Sequence, residues 1–274
     1  MMLLPHSQSH RHPACLCIFF FSTHCIFFCF DFQKKKQCRT AGSPEVVVFD
    51  LDVADITALE NAIHETVDKM GALSALICNA GINRRKSALT AGRRIWDQVL
   101  DTNFRSLMHA TRTALPYMQM SQVANGAGIV YISSEAIQNE LGFGGLGAYY
   151  STKFAITGFA GCVFEDVRSL GIKVSIVAPG LTNTDLGVRP GPLEYQSARE
   201  MIQPDDVAES VSYVLNTPKR ICPTKLVISP RFPQFSFLAK RADSLYKGHI
   251  SQYGLQDPFQ GDLATKHGRL RSNL

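Results

Sequence analysis

Glycine is absent from the first 41 residues of this 274-residue chain, although the whole chain contains 20 glycines. Loops that hold nucleotide phosphates against the start of a helix need glycine at several closely spaced positions. Residues 1–41 therefore contain no loop of that kind.

Closely paired cysteines are absent as well. Five of the eight cysteines lie in the first 38 residues, without a C-x-x-C pair and without histidines at zinc-ligand spacing. We predict no metal site. The other three, Cys78, Cys162 and Cys222, lie far apart in apolar stretches and are predicted to be reduced and buried, which favours a reducing, cytoplasmic compartment.

A strong charge of either sign is also missing. The formal net charge is +5, and much of it comes from the two ends of the chain. No basic stripe crosses the middle, so the sequence gives little support for nucleic-acid binding. A hydrophobic share of 45% and a charged share of 19% are typical of one globular domain with loose ends.

Residues 1–44 differ in composition from the rest of the chain. An apolar run extends from Ala14 to Phe30, and Lys34-Lys35-Lys36 follows it. At about 17 residues, the run has the minimum length of a membrane helix. Three interpretations are open: a signal anchor, a cleaved targeting segment, or an unrelated stretch joined to a truncated domain. We favour the third, so membrane attachment is not expected.

From residue 45 to about residue 230, apolar strands alternate with amphipathic helices, and this range is the predicted domain. Such alternation predicts a parallel sheet with helices on both faces. Residues 231–274 lose the periodicity and are predicted to be a loose tail. The predicted strands cover about residues 46–49, 73–78, 128–134, 173–178 and 226–228, and the predicted helices cover 57–70, 94–116, 149–170 and a segment from 204.

Four positions each follow soon after a predicted strand: Asp52, Asn79, Ser134 and Pro179. Ligands of parallel α/β sheets bind beyond the carboxyl ends of the strands. We therefore expect these four positions to converge on one edge of the sheet.

Tyr149 and Lys153 are spaced i and i+4 in a predicted helix, so they share one face, with Cβ atoms about 5–6 Å apart. An ammonium so close favours the phenolate, and we expect the pKa of Tyr149 to lie below its usual value of about 10. Such a tyrosine can exchange protons near neutral pH. The neighbouring Tyr150 lacks this spacing to Lys153.

In their order along the chain, these positions resemble the short-chain dehydrogenase/reductase family over about residues 45–230. The resemblance implies a Rossmann-like, doubly wound α/β sheet and an oxidoreductase that transfers a hydride between NAD(P)(H) and a small carbonyl or alcohol substrate. It also implies a homo-oligomer through the helices that contain Asn103 and Tyr149. The motifs that carry the resemblance are Asp52-Val53, Asn79-Ala80-Gly81, Asn103, Ser134 after Ile132-Ser133, Tyr149 with Lys153, and Pro179-Gly180 followed by Thr184.

The resemblance also implies a role for each position. Tyr149 exchanges a proton with the substrate oxygen, and Ser134 hydrogen-bonds the same oxygen. Lys153 holds the nicotinamide ribose and lowers the Tyr149 pKa, while Asn103 holds a water that connects Lys153 to solvent. The implied cofactor-binding positions are Asp52, Val53, Asn79, Ala80, Gly81, Tyr149, Lys153, Pro179, Gly180 and Thr184.

Several assignments have a plainer alternative. Asn103 could bond a neighbouring backbone, Asp52 could cap the helix that follows, and Asn79-Ala80-Gly81 could form an ordinary turn. Ser133 competes with Ser134, and we choose Ser134 because the second serine of such a pair carries the role in the family.

One departure from the family pattern concerns the cofactor. Family members open with a T-G-x-x-x-G-x-G loop that holds the pyrophosphate, and no such loop precedes Asp52. We predict that the N-terminal β-α-β unit is missing or replaced, which leaves an apolar sheet edge exposed. The segment that selects NAD or NADP is missing with it, and NADP is slightly favoured.

Two functional questions stay open in the sequence. The alternative to an enzyme is a truncated, non-catalytic relative that acts only as an oligomer partner. Residues 181–203 are predicted to form much of an apolar substrate wall, without identifying the substrate.

Overall fold

The computed structural model describes residues 16–19, 24–28, 45–138, 144–184, 186 and 201–231. Their main feature is a seven-stranded sheet with helices on both faces, a Rossmann-like α/β fold. The chain divides into a first unit, Met1–Arg189 with Ile202–Pro230, and a second unit, Pro190–Met201 with Arg231–Leu274. The fold and site below belong to the first unit. The predicted tail and most of the predicted substrate wall lie outside the described residues.

The strands and helices follow in chain order. The strands are β1 (Leu16–Phe19), β2 (His24–Phe28), β3 (Glu45–Phe49), β4 (Ala75–Cys78), β5 (Gly128–Ile132), β6 (Lys173–Pro179) and β7 (Lys225–Ile228). The helices are α1 (Ile56–Met70), α2 (Arg93–Leu100), α3 (Ser106–Gln119), α4 (Gly147–Val167) and α5 (Pro204–Asn216), with a π-helical turn, Asp101–Arg105, joining α2 to α3.

The elements predicted from residue 45 onward are confirmed, and α1 illustrates why its ends could be predicted. The Asp55 carboxylate accepts a hydrogen bond from the backbone N–H of Ala58, which satisfies one of the unpaired donors of the first turn. Gly71 ends the helix with φ at 78°, a conformation that glycine adopts without steric cost.

The strands in the middle of the sheet are buried on both faces. On β5, Ile129 and Tyr131 belong to the core beneath α1, α3 and α4. Val130 and Ile132 alternate with them and belong to the core beneath α5. This alternation explains why the strand is a continuous apolar run, and it confirms the predicted three-layer arrangement.

The strand order is β3-β2-β1-β4-β5-β6-β7. The pairs β2–β3, β4–β5, β5–β6 and β6–β7 are parallel, whereas β1 is antiparallel to both of its neighbours. The parallel sheet predicted for residues 45–230 is therefore confirmed, and the antiparallel strand β1 lies in the segment that precedes this range. Only residues 20–23 connect β1 to β2, and a parallel pair would need a crossover of roughly a dozen residues or more.

The first two strands also correct the prediction of an exposed edge. They lie between β3 and β4, with Cys17 opposite Ile77 and Ile26 opposite Val47. Part of the segment 1–44 thus replaces the N-terminal β-α-β unit with two strands. The run from Ala14 to Phe30 contains these strands rather than a membrane helix. Within the described part of the chain, no helix is long and apolar enough to span a bilayer.

Two of the three cysteines expected to be buried differ from that expectation. Cys78 is buried, Cys222 is partly buried, and Cys162 is exposed on the outer face of α4. All three are free thiols. Cys162 was mispredicted because α4 is apolar on most sides, so the sequence does not identify its solvent-facing residues.

Candidate active site

The carboxyl ends of β4, β5 and β6 lie at one edge of the sheet, because these three strands are parallel neighbours. Asn79 follows β4, Ser133-Ser134 follow β5, and Gly180 follows β6. The strand β3 runs in the same direction as β4. Because β1 is antiparallel to both β2 and β4, those two strands point the same way, and β3 is parallel to β2. The sheet therefore has the single edge on which the predicted site depends.

The two serines after β5 have different partners. Ser133 is buried, and its hydroxyl donates to the backbone carbonyl of Lys153 at 3.1 Å. Ser134 is partly buried, accepts from the backbone N–H of Ala136 at 3.2 Å and is hydrogen-bonded to the side chain of Tyr149. Ser133 thus fixes α4 to the sheet, while Ser134 lies beside the tyrosine hydroxyl, which favours the choice of Ser134.

Tyr149 lies in the first turn of α4, and its ring centroid is 5.6 Å from Lys153 Nζ. Burial raises the pKa of Tyr149 above its usual value, and the hydrogen bond with Ser134 opposes this effect. The prediction of a lowered pKa is therefore wrong for this geometry, because removal of the phenolate from water outweighs the stabilising groups. Tyr149 keeps its proton at neutral pH.

Lys153 is 4% exposed, and its Nζ donates to the backbone carbonyl of Ile132 at 2.9 Å. Burial lowers the pKa of Lys153 to about 8. A lysine so placed is mostly charged at neutral pH and loses its charge in mildly alkaline solution.

Asn103 is 1% exposed and lies in the π-helical turn, where the N–H of Ser106 bonds the carbonyl of Asp101. Its side chain accepts from Ile82 N at 2.7 Å and donates to Ile82 O at 3.0 Å and to Thr152 Oγ1 at 3.2 Å. The amide thus joins the loop after β4 to α4. Short π-helical turns often occur at functional sites.

Gly81 lies against the side chains of Asn103 and Lys153. A Cβ atom added at Gly81 would lie 3.7 Å from Asn103 Oδ1 and 3.8 Å from Lys153 Nζ. The missing side chain leaves a space that faces the lysine ammonium. An ammonium and an amide beside a glycine-lined space suit the hydroxyl groups of a ribose, so the residues present fit the nicotinamide end of a dinucleotide.

The other predicted cofactor positions lie farther along the same edge. The Asp52 carboxylate accepts from Ala54 N at 2.9 Å, so it forms a local turn, and Asp55 is the residue that caps α1. Val53 is buried in the core. Gly180 N donates to Ile228 O at 2.8 Å, and Thr184 N donates to Thr182 O at 2.8 Å.

The sequence did not indicate two partners in this cluster, Thr152 and the backbone of Ile82. Thr152 is buried, donates to Tyr149 O at 2.7 Å and receives the Asn103 amide. Thr152 lies three residues after Tyr149, and residues at that spacing are neighbours on a helix surface. This spacing is the sequence signal that could have identified Thr152. The Ile82 bonds depend on the loop path and had no sequence signal.

This combination of fold and site defines the class of the protein. The family model for short chain dehydrogenases matches residues 32–190, more than half of the chain. The chain belongs to the short-chain dehydrogenase family.

The chain is similar to several curated members. It is 26% identical to the acetoacetyl-CoA reductase of Allochromatium vinosum, over 66% of this chain and 74% of that protein. It is 33% identical to the 3-oxoacyl-[acyl-carrier-protein] reductase FabG of Staphylococcus aureus, over 49% and 53%. It is 27% identical to the glycine betaine reductase ATRR of Emericella nidulans, over 73% of this chain but only 16% of that protein.

Solved structures of the family are also similar. A short chain dehydrogenase from Burkholderia cenocepacia, in complex with NADP, is 26% identical with a TM-score of 0.63, over 72% of this chain and 80% of that one. A dehydrogenase/reductase from Sinorhizobium meliloti is 27% identical with a TM-score of 0.63, over 72% and 77%.

Proposed function

We propose that this chain is an NAD(P)-dependent oxidoreductase that interconverts a carbonyl compound and its alcohol. The observation that carries the proposal is the cluster of Ser134, Tyr149 and Lys153 beside the space at Gly81. A hydroxyl, a phenol and an ammonium from β5 and α4 meet at the edge where such sheets bind their ligands.

Each side chain then has a distinct task. Tyr149 donates its proton to the substrate oxygen, and Ser134 donates a hydrogen bond to the same oxygen as negative charge develops on it. Lys153 stabilises the phenolate that remains on Tyr149. Because burial raises the pKa of Tyr149, the phenol is protonated at neutral pH, which is the form that reduction of a carbonyl requires.

A nicotinamide cofactor supplies the hydride when bound. In this proposal Lys153 and the space at Gly81 receive its ribose, and Asn103 holds the loop and α4 at the spacing that this requires. NADP is proposed ahead of NAD, supported by the NADP complex of the similar Burkholderia protein. The names of the acetoacetyl-CoA and 3-oxoacyl relatives make 3-oxoacyl thioesters the first substrates to test.

Replacement of Tyr149 by Phe tests the proposal, with Tyr150→Phe as the matched control. We expect Tyr149→Phe to lower kcat/KM for ketone reduction by about 100-fold or more, because a positioned general acid contributes roughly that factor. The Kd for NADPH should change less than about twofold, since binding does not use the proton. NADPH absorbance reports turnover, and isothermal titration reports binding.

Two results would overturn the proposal. One is a Tyr149→Phe variant that retains full activity while Tyr150→Phe loses it. The other is a wild-type chain that binds neither NADPH nor NADH.

The second candidate function is that of a non-catalytic oligomer partner. Met108 on α3 is 39% exposed and Phe154 on α4 is 45% exposed, so both helices present apolar side chains to solvent. Large exposed apolar side chains favour an interface between subunits. Sedimentation of the wild type and of Phe154→Glu tests this, and an oligomer without turnover would favour the second candidate.

We also propose a cytoplasmic location, supported by the free thiols.

A further inference from the structure

The side chain of Thr152 lies where three parts of the site meet: α4, the π-helical turn and the loop after β4. It is fully buried. Its Oγ1 donates to the backbone carbonyl of Tyr149 at 2.7 Å and accepts from Asn103 Nδ2 at 3.2 Å. A threonine hydroxyl has one hydrogen, and here that hydrogen is used within α4, so the oxygen acts as an acceptor toward Asn103.

The acceptor at Thr152 completes the hydrogen bonds of the Asn103 amide. One N–H of Asn103 Nδ2 donates to Thr152, the other donates to Ile82 O at 3.0 Å, and Oδ1 accepts from Ile82 N at 2.7 Å. In this orientation Oδ1 lies 3.7 Å from the position of a Cβ on Gly81, and Lys153 Nζ lies 3.8 Å from the same position. An acceptor and a donor therefore border the space, as a ribose hydroxyl requires.

Through these bonds Thr152 connects the acid–base residues to the ribose space. On one side, it is bonded to the first turn of α4, which carries Tyr149. On the other side, it is bonded to Asn103, which holds Ile82, the residue after Gly81. Removal of the hydroxyl would leave an N–H of Asn103 without its acceptor in a buried place, and the loop after β4 would lose this bond to α4.

We propose that Thr152 is a positioning residue, which sets the distance between the Tyr149 hydroxyl and the ribose space at Gly81. This role rests on the proposed function, because the substrate carbonyl meets Tyr149 through its oxygen while its carbon faces the nicotinamide. Both distances must be correct at the same time, and a misplacement of about 1 Å can lower a rate by roughly 100-fold. Thr152 touches neither substrate nor cofactor in this proposal and acts through Asn103.

Two substitutions of Thr152 separate its hydroxyl from its shape. Thr152→Val keeps the shape without the hydroxyl, and we expect kcat for NADPH-dependent ketone reduction to fall about tenfold. Thr152→Ser keeps both hydrogen bonds, and we expect kcat within about threefold of the wild type. The Kd for NADPH, from isothermal titration, should change less than about threefold in both variants, because Lys153 and the space at Gly81 remain.

Thr157→Val is the matched control on the same helix. The Thr157 hydroxyl donates to the backbone carbonyl of Lys153 at 3.2 Å, and Ser133 donates to the same carbonyl. Loss of the Thr157 hydroxyl therefore leaves that carbonyl bonded, and kcat should stay within about twofold of the wild type. Circular dichroism at the assay temperature shows whether each variant is folded, so that a lower kcat is not mistaken for loss of folded protein.

Amide hydrogen exchange measures the same link without any turnover. The Ile82 N–H is held by Asn103 Oδ1, and we expect Thr152→Val to accelerate its exchange at least about fivefold. The Ser133 N–H donates to Val177 O at 2.8 Å within the sheet and should exchange as in the wild type. NMR of the ¹⁵N-labelled full chain resolves both amides.

Three results would overturn the positioning role while the proposed function stands. The first is a Thr152→Val variant with the kcat of the wild type. The second is an equal loss of kcat in Thr152→Val and Thr152→Ser, which would assign the effect to packing rather than to the hydroxyl. The third is an unchanged exchange rate of the Ile82 N–H in Thr152→Val. A wild type without turnover would overturn the proposed function instead, and the Ile82 exchange rate then decides alone whether Thr152 holds Asn103 in place.

Discussion

At the residue scale, Ser133 and Ser134 divide two tasks between identical side chains. The Ser133 hydroxyl is committed to the α4 backbone at Lys153, whereas the Ser134 hydroxyl lies beside Tyr149. Alternation of side chains at a strand end sends neighbouring residues in opposite directions. A stability measurement and an activity measurement should therefore respond to different serines.

Ser133→Ala should lower the free energy of unfolding by about 1–2 kcal/mol, because the buried carbonyl of Lys153 loses a hydrogen bond. Ser134→Ala should change stability by less than about 0.5 kcal/mol but reduce kcat/KM roughly 100-fold, as loss of one donor to a developing oxyanion does. Urea unfolding and NADPH turnover measure the two effects. The reverse pattern would assign the catalytic role to Ser133.

Lys153 makes stability depend on pH in a defined window. Its pKa is about 8 in the folded chain against 10.5 for an ordinary lysine, so the unfolded chain binds more protons between these values. Stability therefore rises with pH from about 8 to 10.5, and below pH 8 the folded chain bears the full cost of the buried charge. Over this whole window, the free energy of unfolding rises by about 3 kcal/mol.

Between pH 7.5 and pH 9.5, we expect the free energy of unfolding of the wild type to rise by about 2 kcal/mol relative to that of Lys153→Met. The comparison with the variant removes the contributions of other groups, such as Tyr131 and Cys78, that titrate in both proteins. Urea unfolding at the two pH values gives the difference. A difference that stays constant with pH would contradict the lowered pKa.

The proximity of the proposed reacting residues could be predicted from the sequence, but their surroundings could not. The i and i+4 spacing put Tyr149 and Lys153 on one face, and their order with Ser134 gave the resemblance. The direction of the Tyr149 pKa shift was wrong, because spacing reports the nearby charge and says nothing about burial. The bonds of Asn103 to Ile82 depend on a π-helical turn, which no local pattern in Asp101–Arg105 indicates.

At the element scale, the buried Lys173 joins β6 to the end of α5. Its Nζ donates to Leu215 O at 3.1 Å, to Thr217 Oγ1 at 3.0 Å and to Thr217 O. Burial lowers the pKa of Lys173. The last carbonyls of a helix lack partners within the helix, and a cation there also interacts favourably with the helix dipole.

Lys173→Met should lower the free energy of unfolding by about 2–4 kcal/mol, because it leaves buried carbonyls without donors. Lys219→Met is the matched control, since Lys219 is exposed and should change stability by less than about 0.5 kcal/mol. Chemical unfolding compares the two. Equal effects at both positions would mean that the three hydrogen bonds contribute no net stability.

The sequence predicted that β6 starts at Lys173. It did not predict that the Lys173 side chain is buried, because that depends on α5, about forty residues later in the chain.

At the scale of the whole molecule, a sheet continuous from β3 to β7 depends on β1 and β2. Among the strands that the structure describes, the edge strand β3 pairs only with β2, and β1 connects β2 to β4. The pairing of β1 and β2 with the rest of the sheet could not be predicted from the apolar run that begins at Ala14. Strand pairing is decided by partners such as Ile77, sixty residues away from Cys17, whereas a short apolar run suits a strand, a buried helix or a membrane segment.

Hydrogen exchange tests the arrangement. In the full chain, we expect slow exchange of the backbone amides in β1, β2 and β3. Removal of residues 1–28 should leave β3 without a sheet partner and accelerate its exchange to the rate of an open strand, while β5 and β6 stay protected. Mass spectrometry of peptic peptides resolves these segments. Unchanged protection of β3 after the truncation would contradict the strand order.

The antiparallel direction of β1 has a consequence for engineering. Of the six strand pairings within the described residues, four are parallel, and the two antiparallel ones both involve β1. A complete β-α-β unit grafted in place of residues 1–44 would reverse only those two ladders, and the register of β4 with β5, β6 and β7 would be untouched. The grafted loop would then enter at the edge beside Asn79. Such a chimera would measure how much cofactor affinity depends on a phosphate loop, with the same catalytic side chains in both proteins.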